Sequence, residues 1–189
     1  MILKYFTRAV LNVAFLVGIA SCLSLTPMQY ASAQIEQTER FEIERKNSDE
    51  YFTVISLEED GLVLVRDKEK YEGNKQLWQI IVLDTNLKEQ QNFDIQVNHR
   101  YTLLGYEIDD NLLYLLFRTG ETTRNSLELI EVNTATGNET ARHQVDPELD
   151  FKITHFNKVG NNIILGGYVT NEPAILLFDP LDKSIKVIP

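Results

Sequence analysis

The sequence predicts an all-β protein made of about three tandem four-stranded antiparallel meanders, stacked as blades. Short apolar segments alternate with turn residues throughout residues 51–189, which is the pattern of successive strands. The same order of parts occurs three times, over residues 51–97, 101–145 and 151–188. In each copy the second strand is almost wholly apolar and the fourth is polar, so we expect an inner and an outer strand respectively.

Two sets of turns give the repeat a period of about 50 residues. The first hairpin turn falls at Asp60, Asp110 and Asn161, at intervals of 50 and 51 residues. The third strand is closed by Asp84, Asn133 and Asp179, at intervals of 49 and 46 residues. A fixed period of this size is typical of blades or solenoid repeats.

Each copy contains four predicted strands. In the first copy they cover residues 51–57, 62–65, 77–83 and 89–96; in the second, 101–108, 112–117, 126–133 and 139–145; in the third, 151–157, 163–168, 174–178 and 184–188. The Asp60-Gly61 pair between two apolar runs predicts a two-residue type I′ hairpin turn, because that turn needs positive φ at both positions.

The turns after the third strands resemble those of β-propeller repeat proteins. Residues 82–88, 131–137 and 177–183 share an apolar residue followed by Asp or Asn, a short spacer, and Gly or Lys. The resemblance covers residues 50–189 and implies a partial β-propeller, without indicating a particular family. Closed propellers have at least four blades. The three copies are therefore either the N-terminal part of a longer protein, an open arc, or half of a dimer.

Residues 1–33 have the layout of a secretory signal peptide. Lys4 and Arg8 precede an apolar run over residues 9–25, and an Ala-Ser-Ala cleavage site ends at Ala33. We expect the remaining chain to be exported, to the periplasm, the outer membrane surface or the extracellular space.

Cys22 offers an alternative processing site. Residues 19–22 resemble a bacterial lipobox, in which the cysteine is acylated and becomes the new N-terminus. A lipid on Cys22 is then the expected contact with a membrane, and an uncleaved anchor is a third alternative. Cleavage after Ala33 instead removes the chain's single cysteine, which leaves neither a disulfide nor a thiolate metal site.

Residues 34–50 are charged and are predicted to be either a linker or a closing strand. Phe41 and Ile43 alternate with Glu42 and Glu44, as in a strand with one buried face. Such a strand would pair with a distant blade and remove a free sheet edge.

The charge of the chain excludes two classes of partner. The formal net charge is −10, and removing Lys4 and Arg8 with the signal peptide takes it to −12. Nucleic acids and anionic membrane surfaces need basic patches, so we expect neither as a partner.

No motif in the sequence indicates catalysis, a cofactor or a metal site. His99, His143 and His155 stand apart from one another in the sequence, whereas a metal centre needs three or four converging ligands. The acidic pairs lie at predicted hairpin turns, where Asp is favoured for backbone reasons. We therefore expect no catalytic, cofactor-binding or metal-binding residues, and no enzymatic activity of the chain alone.

The connections at one end of the blades are the predicted partner surface, since function in β scaffolds concentrates on such loops. They cover residues 67–75, 118–125 and 169–173, with 97–100 and 146–150 between blades. Tyr71, Arg118 and Arg124 are the candidate contact residues, whereas Trp78 and most tyrosines are predicted to pack within blades. The sequence thus predicts an exported binding or scaffold module for a protein or carbohydrate; the alternative is the N-terminal propeller portion of a larger secreted enzyme, such as a peptidase or hydrolase.

Overall fold

A computed structural model describes residues 39–44, 52–119 and 126–189. Their strands are β1 (Phe52–Ser56), β2 (Leu62–Glu72), β3 (Lys75–Leu83), β4 (Glu89–Asn98), β5 (Tyr101–Asp109), β6 (Leu112–Thr119), β7 (Leu127–Asn133), β8 (Asn138–Val145), β9 (Phe151–Val159), β10 (Asn162–Val169), β11 (Glu172–Phe178) and β12 (Ile185–Ile188). A single 3-10 turn, Glu58–Asp60, is the helical element of these residues.

The strands form three four-stranded antiparallel sheets in which each strand pairs with its neighbour in sequence. We call them sheet 1 (β1–β4), sheet 2 (β5–β8) and sheet 3 (β9–β12). The prediction of an all-β chain of tandem meanders, arranged like the blades of a partial propeller, is confirmed.

Sheet 2 is packed on both sides because its second strand is apolar at every central position. Leu113, Leu115 and Phe117 belong to a buried cluster shared with sheet 1. Tyr114 and Leu116 belong to a second cluster shared with sheet 3. Successive side chains of a strand point to opposite faces, so one run of five apolar residues supplies two separate cores.

Burial decreases from the middle strands to the fourth strand of each sheet. Residues 113–117 of β6 are all buried, and so are residues 127–130 of β7. At least half of the residues of the fourth strands β4, β8 and β12 are exposed. The polar fourth strands β4 and β8 are therefore solvated outer strands, as predicted.

Two predicted loops are mainly strand. Residues 67–75 continue the hairpin of β2 and β3 up to the pair Glu72 and Lys75, with a bulge between Asp67 and Lys70. Residues 169–173 contain a two-residue turn, in which Thr170 and Asn171 have φ of 49° and 70°. The loop predictions were wrong because charged and polar residues on an exposed hairpin have the composition of a loop.

The predicted type I′ turn at Asp60-Gly61 is also wrong. Ser56 pairs with Leu62, so five residues connect β1 to β2 and three of them form the 3-10 turn. Gly61 has φ of 120°, and a Cβ there would lie 2.0 Å from the carbonyl oxygen of Leu83. The glycine is therefore required by a close backbone approach as well as by its φ.

The described part of the predicted linker or closing strand, residues 39–44, has no regular secondary structure. Phe41 and Ile43 are half-buried and alternate with exposed Glu42 and Glu44. The carbonyl oxygen of Glu44 accepts a hydrogen bond of 3.4 Å from Arg66 Nη1, which places this segment beside sheet 1. The other residues of 34–50 lie outside the described part of the chain.

Candidate binding surface at the upper end of the sheets

The antiparallel meanders bring five connections to one end of the sheets, which we call the upper end. These connections are β2–β3, β6–β7 and β10–β11 within the sheets, and β4–β5 and β8–β9 between them. Two residues join β4 to β5, and five residues, 146–150, join β8 to β9. Apart from this last connection and residues 120–125, which are not described, the upper end is made of tight turns rather than long loops.

Tyr71 lies at the upper end of sheet 1 and is the most exposed tyrosine of the described residues, at 54%. Its ring stands edge-on to the imidazole of His99, with ring centroids 5.4 Å apart and an angle of 74° between the planes. The backbone N–H of His99 donates a hydrogen bond of 3.2 Å to the carbonyl oxygen of Asn74. This hydrogen bond joins the turn after β4 to the β2–β3 hairpin. The backbone segments that carry Tyr71 and His99 are therefore held together.

Arg118 is half-buried near the end of β6, opposite Thr102 and Leu127. Its Nε atom is buried and has no hydrogen-bond partner within the described residues. Arg118 lies on sheet 2 and Tyr71 on sheet 1. Among the described residues no hydrogen bond or cation–π contact joins the two side chains, so their shared role in binding stays a prediction. Arg124 and the predicted lipidation residue Cys22 lie outside the described residues.

The remaining aromatic residues separate into packed and exposed groups. Trp78 is buried, and its ring stacks edge-on against Phe117 of sheet 2 at 5.1 Å. Tyr101 and Tyr114 are also buried. Of the described tyrosines, Tyr106 and Tyr168 are also exposed. Strand aromatics in this chain are thus partly packing groups, and alternation along each strand decides which ones face solvent.

Arg142 of β8 joins sheet 2 to sheet 1, a role that sequence reasoning missed. Its Nη2 donates to the carbonyl oxygen of Gln96 in β4 at 2.8 Å. It also pairs with Glu128 at 2.9 Å and with Glu139 at 2.7 Å. The hydrogen bonds that the guanidinium donates to Glu139, and then to Glu128, raise the pKa of Arg142 despite partial burial. Arg142 therefore stays charged throughout the pH range of a folded protein.

An open groove of about 580 Å³ lies beside Arg142, between the outer strands β4 and β8. Its charged side chains already have partners, because Lys68 pairs with Asp94 at 2.7 Å and Arg142 holds Glu139. Lys75 donates to the side-chain oxygen of Asn98. Because its charged side chains already have hydrogen-bond partners, the groove has the character of a junction between sheets.

The junction of sheets 2 and 3 contains a different polar group. The ammonium of Lys158 in β9 hydrogen-bonds to Asp109 of β5 and lies 4.9 Å from the centroid of the Tyr114 ring. His143 Nε2 lies 3.1 Å from Glu131 Oε1, and the imidazole stands edge-on to Phe178. Burial favours the neutral amine of Lys158, but the contacts with Asp109 and Tyr114 prevail and raise its pKa.

Three further results bear on function. Within the described ranges, no group of three His, Cys, Asp or Glu side chains is arranged to hold a metal ion. The same residues contain no helix of the length and apolar character needed to cross a membrane. Comparisons with protein-family models, curated proteins and solved structures found no match to this chain.

Proposed function

We propose that this protein is an exported, non-catalytic binding or scaffold module of the cell envelope that recognises a protein or carbohydrate through the upper end of sheet 1. The observation that carries the proposal is the exposed Tyr71 ring held against His99. Aromatic rings that remain exposed on a stiff backbone offer apolar area and a polar tip to a ligand at little entropic cost. Both features suit the face of a sugar or the side chains of a protein partner.

The surroundings of the aromatic pair support a neutral or mixed-charge ligand. Lys70, Glu72 and Arg100 are all exposed close to Tyr71 or His99 in the chain, so both signs of charge are present. The chain as a whole has a net charge of −10, which disfavours anionic polymers.

A matched pair of tyrosine variants tests the binding surface. Tyr71→Ala should lower binding to immobilised peptidoglycan fragments and envelope polysaccharides on a glycan array by tenfold or more, since truncating an aromatic hot spot costs about 2 kcal/mol or more. Tyr106→Ala removes another exposed tyrosine and should leave binding unchanged. Equal binding by wild type and Tyr71→Ala to every retained probe would contradict the proposal.

Export is supported by the layout of residues 1–33, which includes Lys4, Arg8 and the Ala31-Ser32-Ala33 site. Mass spectrometry of the protein from its native cell should find an N-terminus at Gln34, or at an acylated Cys22. An intact Met1 in a cytoplasmic fraction would contradict export.

A second candidate is the non-catalytic part of a larger exported enzyme such as a peptidase or hydrolase. It is favoured by the face of sheet 3 turned away from sheet 2, which carries exposed Tyr168 and Ile175. An immunoblot of the native cell that shows a band much larger than 189 residues would support this candidate.

A further inference from the structure

Sheet 3 turns an apolar face to solvent. Ile163, Leu165 and Leu176 of its central strands are packed against sheet 2, so the residues between them point the other way. We call this the outer face of sheet 3; its apolar side chains are Val159, Ile164, Tyr168, Ile175, Leu177 and Ile188. Val159, Tyr168, Ile175 and Ile188 are exposed by 55%, 45%, 43% and 39%.

Equivalent positions in the other two sheets are covered. Ile80, Leu129 and Ile175 each lie four residues before the Asp or Asn that closes the third strand. Ile80 packs against sheet 2 and Leu129 against sheet 3, and both are 0% exposed. Ile175 occupies the same place in its sheet and is 43% exposed. The outer face of sheet 3 is thus built like two faces that are buried by another sheet.

The outer face also has the polarity of a protein interface. Its apolar centre lies on β10 and β11, whereas its exposed lysines, Lys152 and Lys186, lie on the edge strands β9 and β12. No carboxylate stands at the outward-facing positions of these four strands. An apolar centre with a charged rim is the usual anatomy of a specific interface.

The area of the face is that of a small interface. Its four strands have 9, 8, 7 and 4 residues, which at about 3.3 Å per residue and about 4.8 Å between strands gives roughly 440 Å² on each copy. Two such faces together cover roughly 900 Å², within the size range of weak, reversible interfaces. Exposed apolar patches of several hundred Å² on soluble proteins commonly mark interaction sites.

The opposite face of the stack, on sheet 1, is less available. Leu77, Ile81 and Leu83 point away from sheet 2, yet they are exposed by only 8%, 2% and 1%. Residues 39–44 lie beside this face, through the hydrogen bond from Arg66 to the Glu44 carbonyl. Head-to-tail docking of sheet 3 on sheet 1 of another copy would have to displace what covers them.

We propose that the outer face of sheet 3 docks face to face on the outer face of sheet 3 in a second copy of this chain. The contact is isologous, so it closes as a dimer around a two-fold axis and leaves no free apolar face. The two sheets pack like those of a sandwich, with Ile175 and Tyr168 near the centre and the lysines at the rim. Because the rim is basic on both copies, screening by salt strengthens the dimer.

Analytical ultracentrifugation of the purified full-length protein, from about 1 µM to about 200 µM, tests the proposal. Wild type should sediment as a species of twice the chain mass at the higher concentrations, and more salt should favour this species. Ile175→Lys should weaken association at least tenfold. Val54→Lys is the matched control, because Val54 is a β-branched residue exposed by 57% on the face of sheet 1 that is turned away from sheet 2.

Three outcomes would overturn the proposal. They are a wild-type protein that stays monomeric throughout, an Ile175→Lys variant that associates as tightly as wild type, and a Val54→Lys variant weakened as much as Ile175→Lys. Equal weakening by Val54→Lys would indicate head-to-tail contact between sheet 3 and sheet 1. A monomeric wild type would indicate that the outer face of sheet 3 binds a sheet of another protein. Circular dichroism verifies folding; if Ile175→Lys is unfolded, Ile188→Lys near the end of β12 changes the same face with less strain.

Discussion

The three sheets meet at two junctions, one between sheets 1 and 2 and one between sheets 2 and 3. Both junctions are filled by apolar side chains, but a different cationic side chain reaches across each one. At the first, the Arg142 guanidinium reaches the Gln96 carbonyl of the neighbouring sheet. At the second, the Lys158 ammonium reaches Asp109. A guanidinium remains charged at any pH a protein survives, whereas an ammonium loses its proton in alkali. One stack therefore combines a pH-independent junction with an alkali-sensitive one.

The junctions also differ in what the cation neutralises. Arg142 faces Glu128, whose side chain is 5% exposed and whose Oε2 has no hydrogen-bond partner in the described residues. Lys158 faces Asp109, whose side chain is 56% exposed. Removing Arg142 leaves a buried charge without its counterion, while removing Lys158 leaves a carboxylate that water can solvate. The first loss should be the more costly.

The largest effects should come from the apolar cores on the two sides of β6. Leu115→Ala and Leu116→Ala each remove a fully buried side chain, and each should lower the free energy of unfolding by about 2–5 kcal/mol. Urea denaturation measures the loss. Hydrogen exchange should distinguish the neighbours, because Leu115 packs towards sheet 1 and Leu116 towards sheet 3.

Leu115→Ala should accelerate amide exchange mainly in β1–β4, and Leu116→Ala mainly in β9–β12. The two variants serve as controls for each other, since both replace leucine by alanine and their positions are adjacent in the strand. If both produced the same exchange pattern, the two cores would not be separate.

Loss of Arg142 should have the next largest effect. Arg142→Met keeps much of the apolar stem but leaves Glu128 buried without a counterion, so we expect a loss of about 2–3 kcal/mol, below the full range for buried pairs because Arg142 is partly exposed. Adding Glu128→Gln to this variant should restore part of the stability. Chemical denaturation of Arg142→Met, Glu128→Gln and the double variant gives the coupling free energy between the two side chains.

Lys158→Met is the comparison at the other junction and should cost less than Arg142→Met at neutral pH. An equal or greater loss would contradict the ranking of the two junctions.

Alkaline pH should affect the junction of sheets 2 and 3 selectively. The folded-state pKa of Lys158 is raised above its ordinary value of 10.5, so its stabilising contribution is complete below that pH and is lost as pH rises through the folded value. Burial, chiefly, raises the pKa of the Tyr114 phenol above 10.0, so ionisation above that pH opposes folding as well. The Tm should therefore fall as the pH increases beyond 10.

Lys158→Arg with Tyr114→Phe should flatten this decline, because neither replacement titrates in that range. Differential scanning calorimetry between neutral and strongly alkaline pH measures the slope. A slope unchanged by the double variant would place the alkaline sensitivity elsewhere.

The fold could be predicted from the sequence because the apolar pattern of the strands and the positions of the turn residues indicated the same four-stranded meander in each copy. The five apolar residues 113–117 predicted a strand buried on both faces, and the polar segment at 139–145 predicted an outer strand. The turns at Asp84, Asn133 and Asp179 fixed the repeat. Such signals are local, so they can be recognised before any tertiary contact is known.

Predictions of the surface were less successful because charged composition does not distinguish a loop from a solvated hairpin. The segment 67–75 is charged and lies mostly on paired strands. The prediction that Tyr71 and Arg118 contact the same partner stays a prediction, because the direction of each side chain depends on register, which the sequence does not specify. Arg142 was missed because its role depends on a carbonyl 46 residues away in another sheet.

The central claim is that the middle sheet packs against both neighbours with alternate side chains. Trp78 is the single tryptophan, so its indole protons can be assigned without ambiguity in a proton NOESY spectrum. The account predicts cross-peaks from the Trp78 indole to the Phe117 ring, together with cross-peaks from the His143 imidazole to the Phe178 ring. Cross-peaks from Trp78 to Phe178, or a Trp78 indole with no aromatic neighbour, would contradict it.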